Sequence, residues 1–182
     1  MTTTKWKLDP THSELGFKIK HLMITNVKGS FKDFQAEVQT KGEDFSTAQI
    51  NVAAEMSSIT TNNEQRDAHL LTSDFFEVDK HPQLIFKSIR IDKIDDDTFT
   101  LHGELTLKGI TKAVKLDVEI NGVTKDPWGG ERAGFVVSGK IKRSEWGVTF
   151  NSPLETGGVM LGEDVTITGE IQLIKQAAAI AA

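Results

Sequence analysis

FTLHGELTLKGITKAVKLDVEI, residues 99–120, carries the pattern that decides the fold. Phe99, Leu101, Gly103, Leu105 and Leu107 take every second position, and after Lys108-Gly109 the same alternation returns at Val114, Leu116, Val118 and Ile120. Successive side chains of a strand point to opposite faces, so each run buries one face and wets the other. The Lys-Gly pair between them has turn composition, and two antiparallel strands joined by a hairpin follow.

Outward from this hairpin the chain repeats the same period. Downstream it appears in Phe135, Val137, Gly139 and Ile141, and again in Val165, Ile167, Gly169, Ile171 and Leu173. Upstream it appears in Leu15, Phe17, Ile19 and His21, and in Ile50, Val52, Ala54 and Met56. Trp6 and Leu8 form a short first strand that Asp9-Pro10 ends, because proline withholds a ladder donor. Val27 and Phe31 lie at odd positions but Phe34, Ala36 and Val38 at even ones, so a β-bulge near Lys32-Asp33 must bend that strand. Asp95-Asp96-Asp97 and Asn121-Gly122 read as turns or strand ends, and residues 126–130 as a longer loop. Gly16, Gly103, Gly139 and Gly169 lie inside strands, where glycine marks curvature or close approach. About eight strands result. A meander of eight closes most easily into a barrel that abolishes its own edges, so the expected class is all-β: an antiparallel up-and-down eight-stranded barrel.

One short helix interrupts the pattern, in NNEQRDAHLLTSDFFEVDKHPQLIFKS, residues 62–88. Asn62 is the expected N-cap, with Gln65 three residues on and Glu64 in the first turn, where a carboxylate suits the helix dipole. Arg66, His69, Leu70 and Ser73 then share a face. Polar groups on an inward face require partners. Either Arg66 pairs with a carboxylate such as Asp67 or Asp9 and fixes the helix, or this face closes an apolar cavity and meets the polar end of something inside. Phe75-Phe76 would pack down as an apolar plug, and His81-Pro82 introduces the strand from Leu84 to Ile91.

The 182 residues are expected to form one domain, with a core over residues 6–174 and a frayed tail at 176–182. A net charge of −5 disfavours non-specific attraction to nucleic acid or to anionic lipid surfaces and leaves either only a local basic patch; no nucleic acid partner is expected. The absence of cysteine excludes disulfides, thiolate metal sites and cysteine nucleophiles. No run approaches the roughly 18 apolar residues of a membrane span, and the first twenty residues hold no signal-peptide core, so the expected location is cytoplasmic. The five histidines, His12, His21, His69, His81 and His102, show no metal-ligand spacing, so neither metal nor cofactor is expected. Thr11-His12-Ser13 invites a hydrolase reading, but adjacent strand residues point apart.

The order LDPTHSELGFKIKHLMITNVKGSF, RDAHLLTSDFFEVDKHP, LHGELTLKGITKAVKLDV, DPWGGERAGFVVSGKIKRSEWGV and EDVTITGEIQL resembles the YceI-like family of polyisoprenoid-binding proteins. The resemblance implies a lipocalin-like barrel whose elongated apolar pore takes up an isoprenoid or other long-chain amphiphile, such as a polyprenyl phosphate or a quinone tail. The implied role is a carrier, storage or sequestering protein, not an enzyme. Carried over to this chain, the wall candidates are Leu15, Phe17, Ile19, Phe31, Phe86, Leu105 and Phe135. The polar-end candidates are His21, Arg66 and His69. Two other readings stand beside it. One is an enzyme acting on a small amphiphile, with His21, Arg66 and His69 meeting at the cavity. The other is a homodimeric interaction module whose phenylalanines simply fill the core.

Overall fold

The computed structural model describes residues 2–155 and 157–177; residues 178–182 of the tail read as frayed lie outside the described residues. A closed antiparallel ring of eight strands carries the fold, and three of the eight are bent into two segments each. The first comprises β1 (Thr3–Leu8) and β2 (Glu14–His21), separated by a 3-10 turn at Pro10–His12. The second comprises β3 (Thr25–Phe31) and β4 (Phe34–Lys41). The third comprises β5 (Asp44–Glu55) and, beyond a 3-10 turn at Met56–Ser58, β6 (Ile59–Thr60). Helix α1 (Glu64–Leu70) leads to β7 (Gln83–Lys93), β8 (Thr98–Leu107), β9 (Ile110–Lys125), β10 (Glu131–Lys142) and β11 (Leu161–Lys175). β1 closes the ring by pairing with β4 on one side and with the end of β11 on the other, Trp6 opposite Lys175 and Leu8 opposite Leu173. The earlier part of β11 pairs with β2, which continues to β3 and β6.

The breaks at Asp9-Pro10 and Lys32-Asp33 fall where proline and the parity change mark them. Other local signals act differently from expectation. The N-cap is Asn63, whose side chain accepts a hydrogen bond from the Arg66 amide at 3.0 Å, while Asn62 sits at φ 61, a conformation asparagine tolerates better than most residues. Asn121-Gly122 is no strand end: β9 runs through it, and the register against β10 shifts there, so the pair forms a bulge. The true turn is Lys108-Gly109, with φ of 52 and 74.

Both ends of the barrel are defined by side chains. At the end where β1 begins, Trp6 packs at a tilt against Phe45 and Phe45 edge-on against Phe135, with centroids 5.0 Å apart in each pair. The Trp6 indole donates to the Thr40 hydroxyl at 3.0 Å, so the largest side chain of this plug is buried with its polar atom satisfied. The β1–β2 bend is pinned by Asp9, which is buried and accepts from His12, from the backbone and hydroxyl of Thr11, and from Arg132. Arg132 also donates to Asp126 at 3.0 Å, tying the bend to the β9–β10 loop. The hydrolase reading of residues 11–13 has no geometry behind it: His12 is oriented on Asp9, while Ser13 pairs with the backbone of Gln172.

Hydrogen bonds from His12, and then from Thr11 and Arg132, hold the Asp9 carboxyl far below the usual carboxylate range, against the upward push of burial. A carboxyl lowered on folding stabilises the fold fully above its unfolded value of about 3.9, and that contribution is lost as pH falls toward the folded value. Asp9→Asn is therefore expected to cost about 2–3 kcal/mol at neutral pH. In urea titrations the gap from the parent protein should shrink steadily below about pH 4.

A candidate ligand-binding tunnel

Away from the Trp6–Phe45–Phe135 plug, the inward residues do not fill the barrel. They surround a cavity of about 500 Å³ that reaches from His21 and Leu161 at the α1 end to Phe45 and Leu173 at the plugged end. Leu161 and Leu173 lie twelve residues apart on β11, both against the cavity. At about 3.3 Å per residue and a strand tilt near 40°, the cavity is about 30 Å deep. Its mean cross-section is then roughly 17 Å², against roughly 13 Å² for a chain of carbons at a contact distance of about 4 Å. A space of those proportions suits one slender hydrocarbon chain.

All ten residues expected at a ligand site border this cavity. Phe31, Phe86, Leu105 and Phe135 are buried, and Leu15, Phe17 and Ile19 form a half-buried stripe along β2. Phe17 lies over Gly29 and Phe86 over Gly103, where added Cβ atoms would come within 2.3 and 2.4 Å of the rings. Glycine on the neighbouring strand lets each ring lie against the wall and leaves the axis open.

His21, Arg66 and His69 stand at the α1 end. Arg66 does not pair with a carboxylate. Its Nε donates to the Thr61 hydroxyl at 2.7 Å and its Nη2 to the Thr61 carbonyl at 2.8 Å. The Thr61 hydroxyl in turn donates to Asp67 at 2.6 Å, so Asp67 reaches Arg66 through Thr61, while Asp9 is occupied at the other end of the barrel. His69 pairs with Asp74 at 2.8 Å and packs edge-on against Phe75 and Phe150, each 5.1 Å away. Phe75 and Phe76 both border the cavity, which gives this end an aromatic collar.

A fourth basic residue, Arg143, also borders the cavity and is 5% exposed. Its Nε donates to Gly162 O and its Nη1 to Val148 O, both at 2.9 Å, and burial lowers its pKa from the ordinary arginine value. It opens a 3-10 turn whose Trp146 is buried and donates to Leu105 O at 3.0 Å, and Gly147 ends the turn at φ 75. Its signal was present in the alternation: Phe135, Val137, Gly139 and Ile141 continue in step to residue 143. The polar lining residues are thus Thr61, His21, His69, Arg66 and Arg143, and none of the described lining residues is a carboxylate.

A narrow, deep, apolar tunnel in a closed antiparallel barrel, with its basic groups gathered toward one end, defines a lipocalin-like class of fold. The family model described as YceI-like domain matches residues 6–173, and the chain belongs to that family. UPF0312 proteins of Staphylococcus aureus strains USA300 and N315 are each 46% identical over 165 residues, covering 89% of this chain and 92% of theirs. The crystal structure of a Campylobacter jejuni YceI protein aligns with a TM-score of 0.77 at 35% identity, over 88% of this chain and 91% of that one. A polyisoprenoid binding domain from Saccharophagus degradans, implicated in plant cell wall breakdown, shares the fold at a TM-score of 0.69 and 14% identity, over 95% and 98% of the two chains. Among the described residues no helix is long and apolar enough to cross a membrane.

A Cβ at residue 103 would lie 2.6 Å from the Lys87 carbonyl as well as against the Phe86 ring. Gly103→Ala is expected to destabilise by about 2 kcal/mol, because the backbone must yield. Adding Phe86→Leu should not restore stability in chemical denaturation, since the carbonyl clash persists.

Proposed function

We propose that this protein holds one long isoprenoid chain in the tunnel, as a carrier, store or sequestering protein, with the polar head at the α1 end. The observation that supports this most is the shape and lining together: about 500 Å³ of apolar space, one chain wide and about 30 Å deep. That depth matches the whole hydrocarbon core of a bilayer, about twice the reach of one leaflet's acyl tail. Long prenyl chains use it fully; ordinary fatty acids leave much of it empty. At about 0.3 kcal/mol per carbon, the roughly 24 extended carbons that about 30 Å can hold gain about 7 kcal/mol, low-micromolar affinity, from hydrocarbon alone. Chain length then sets affinity, and His21, Arg66, His69 and Arg143 set orientation. Their uniform basic character favours an anionic head, a polyprenyl phosphate over a quinone. The polyisoprenoid binding named for the Saccharophagus degradans domain agrees with this reading, although at that identity it speaks only for the fold.

The enzyme alternative draws on the His69–Asp74 pair, which could orient an imidazole as a base. Arg66, however, is committed to Thr61 through two hydrogen bonds, as a fixed structural cation is.

Native mass spectrometry of the purified protein should reveal a bound prenyl lipid, and a barrel that is reproducibly empty and has no affinity for added polyprenyl phosphate would refute the reading. Ala48→Trp and Val137→Trp fill the tunnel from opposite walls. Each should cut binding of a long prenyl phosphate at least a hundredfold while moving stability by less than about 1 kcal/mol. In a solid core the same substitutions would cost about 3 kcal/mol or more.

A further inference from the structure

The hairpin between β2 and β3 ends in Leu22, Met23 and Ile24, which are 39%, 49% and 79% exposed. Leu22 and Met23 have φ of 53 and 64, a left-handed conformation for which glycine, asparagine or aspartate would be the favourable choice. Three consecutive large apolar residues thus stand in water at a turn whose backbone they suit poorly. The tip borders the tunnel: His21 precedes it, the Leu22 amide donates to Met160 O at 2.8 Å, and exposed Val159 stands on that same neighbouring loop. On the outer face of the hairpin Lys18 lies directly opposite Lys28, with Lys20 one pair further toward the tip. Like charges so placed oppose folding, and none of the three has an ion-pair partner among the described residues. Of the nearby carboxylates on β11, Glu163 accepts from the Ser144 amide, and Asp164 forms no ion pair with any of the three among the described residues. From Leu15 to Lys32 the chain carries four lysines and no acid, in a protein of net charge −5.

We propose that this hairpin is a membrane-docking element: the Leu22–Ile24 tip enters the headgroup boundary of an anionic bilayer while Lys18, Lys20 and Lys28 contact its phosphates, setting the tunnel mouth on the lipid surface. Apolar residues at a tip backed by lysines are the combination such surfaces bind. The contact supplies a route for the chain under the proposed function, but its own test is independent of that reading.

Sedimentation with sucrose-loaded vesicles of phosphatidylcholine, with and without about one-third phosphatidylglycerol, measures the contact. The protein should bind the anionic vesicles at least tenfold more tightly than the neutral ones, and addition of salt should weaken that binding. Ile24→Glu should reduce binding at least tenfold, and so should Lys18→Ser combined with Lys28→Ser. Neither change touches a buried group, and unchanged thermal unfolding checks this. Trp128→Ala, in the loop at the other end of the barrel, should leave binding unaltered. Failure of the parent protein to sediment with anionic vesicles overturns the proposal, as does equal binding by Ile24→Glu, or a dimer in solution that Ile24→Glu dissociates in place of any vesicle contact. Uptake of polyprenyl phosphate from detergent micelles, measured in parallel, separates the two readings: uptake without vesicle binding removes the docking element alone, and vesicle binding without uptake supports docking and removes the carrier.

Discussion

Trp6, Lys7 and Leu8 pair with Lys175, Ile174 and Leu173, and this ladder, together with those joining β11 to β2 and β2 to β3, turns an open sheet into a ring. The interior depends on it. An open sheet would bring its two apolar halves together and expel the space between them, whereas a closed ring holds opposite walls at a distance fixed by strand number and tilt. Once that distance is set, side-chain volume alone decides whether the inside is solid. Here phenylalanine rings lie flat over glycines of neighbouring strands, and Trp6, Phe45 and Phe135 gather at one end, so aromatic bulk lines and stoppers the barrel without filling it.

The same ring explains how polar groups are managed. Asp9, Arg132 and Asp126 form a satisfied cluster where β1 bends into β2, away from the cavity's basic end. Arg143 keeps its charge among carbonyl oxygens and has no carboxylate in direct contact, which leaves an electropositive wall where Arg66, His21 and His69 also stand. Burying an unpaired cation is costly, and backbone dipoles meet only part of that cost. Such an arrangement suits a counter-charge that comes and goes with a ligand.

Much of this could be read from residue order, because period-two alternation registers directly which face is buried. Strand parity placed Leu15, Phe17, Ile19 and Phe135 on one surface, and the ring put that surface inside. The bend at Lys32-Asp33 was visible as a change of parity. Other features depend on partners that no local pattern names. Asn62 and Asn63 are equally good caps by composition, and backbone geometry chose the second. Asn121-Gly122 has turn chemistry, yet the ladder to β10 continues past it and converts it into a bulge. Arg66 found a hydroxyl and a carbonyl of Thr61 instead of a carboxylate, because α1 packs beside β6 and far from Asp9. Arg143 keeps step with its strand, but charge seldom continues an apolar face, so alternation alone does not mark it.

Among the described residues, Trp6, Phe45 and Phe135 stopper one end of the barrel. A chain held as proposed, with its head at the α1 end, would thread in tail first and back out head first, sliding past the whole wall on each trip. Exchange then resembles drawing a cord from a sheath. With about 0.3 kcal/mol for each added carbon, every five-carbon unit would lengthen the stay roughly tenfold, so such a protein would keep time by the length of what it holds.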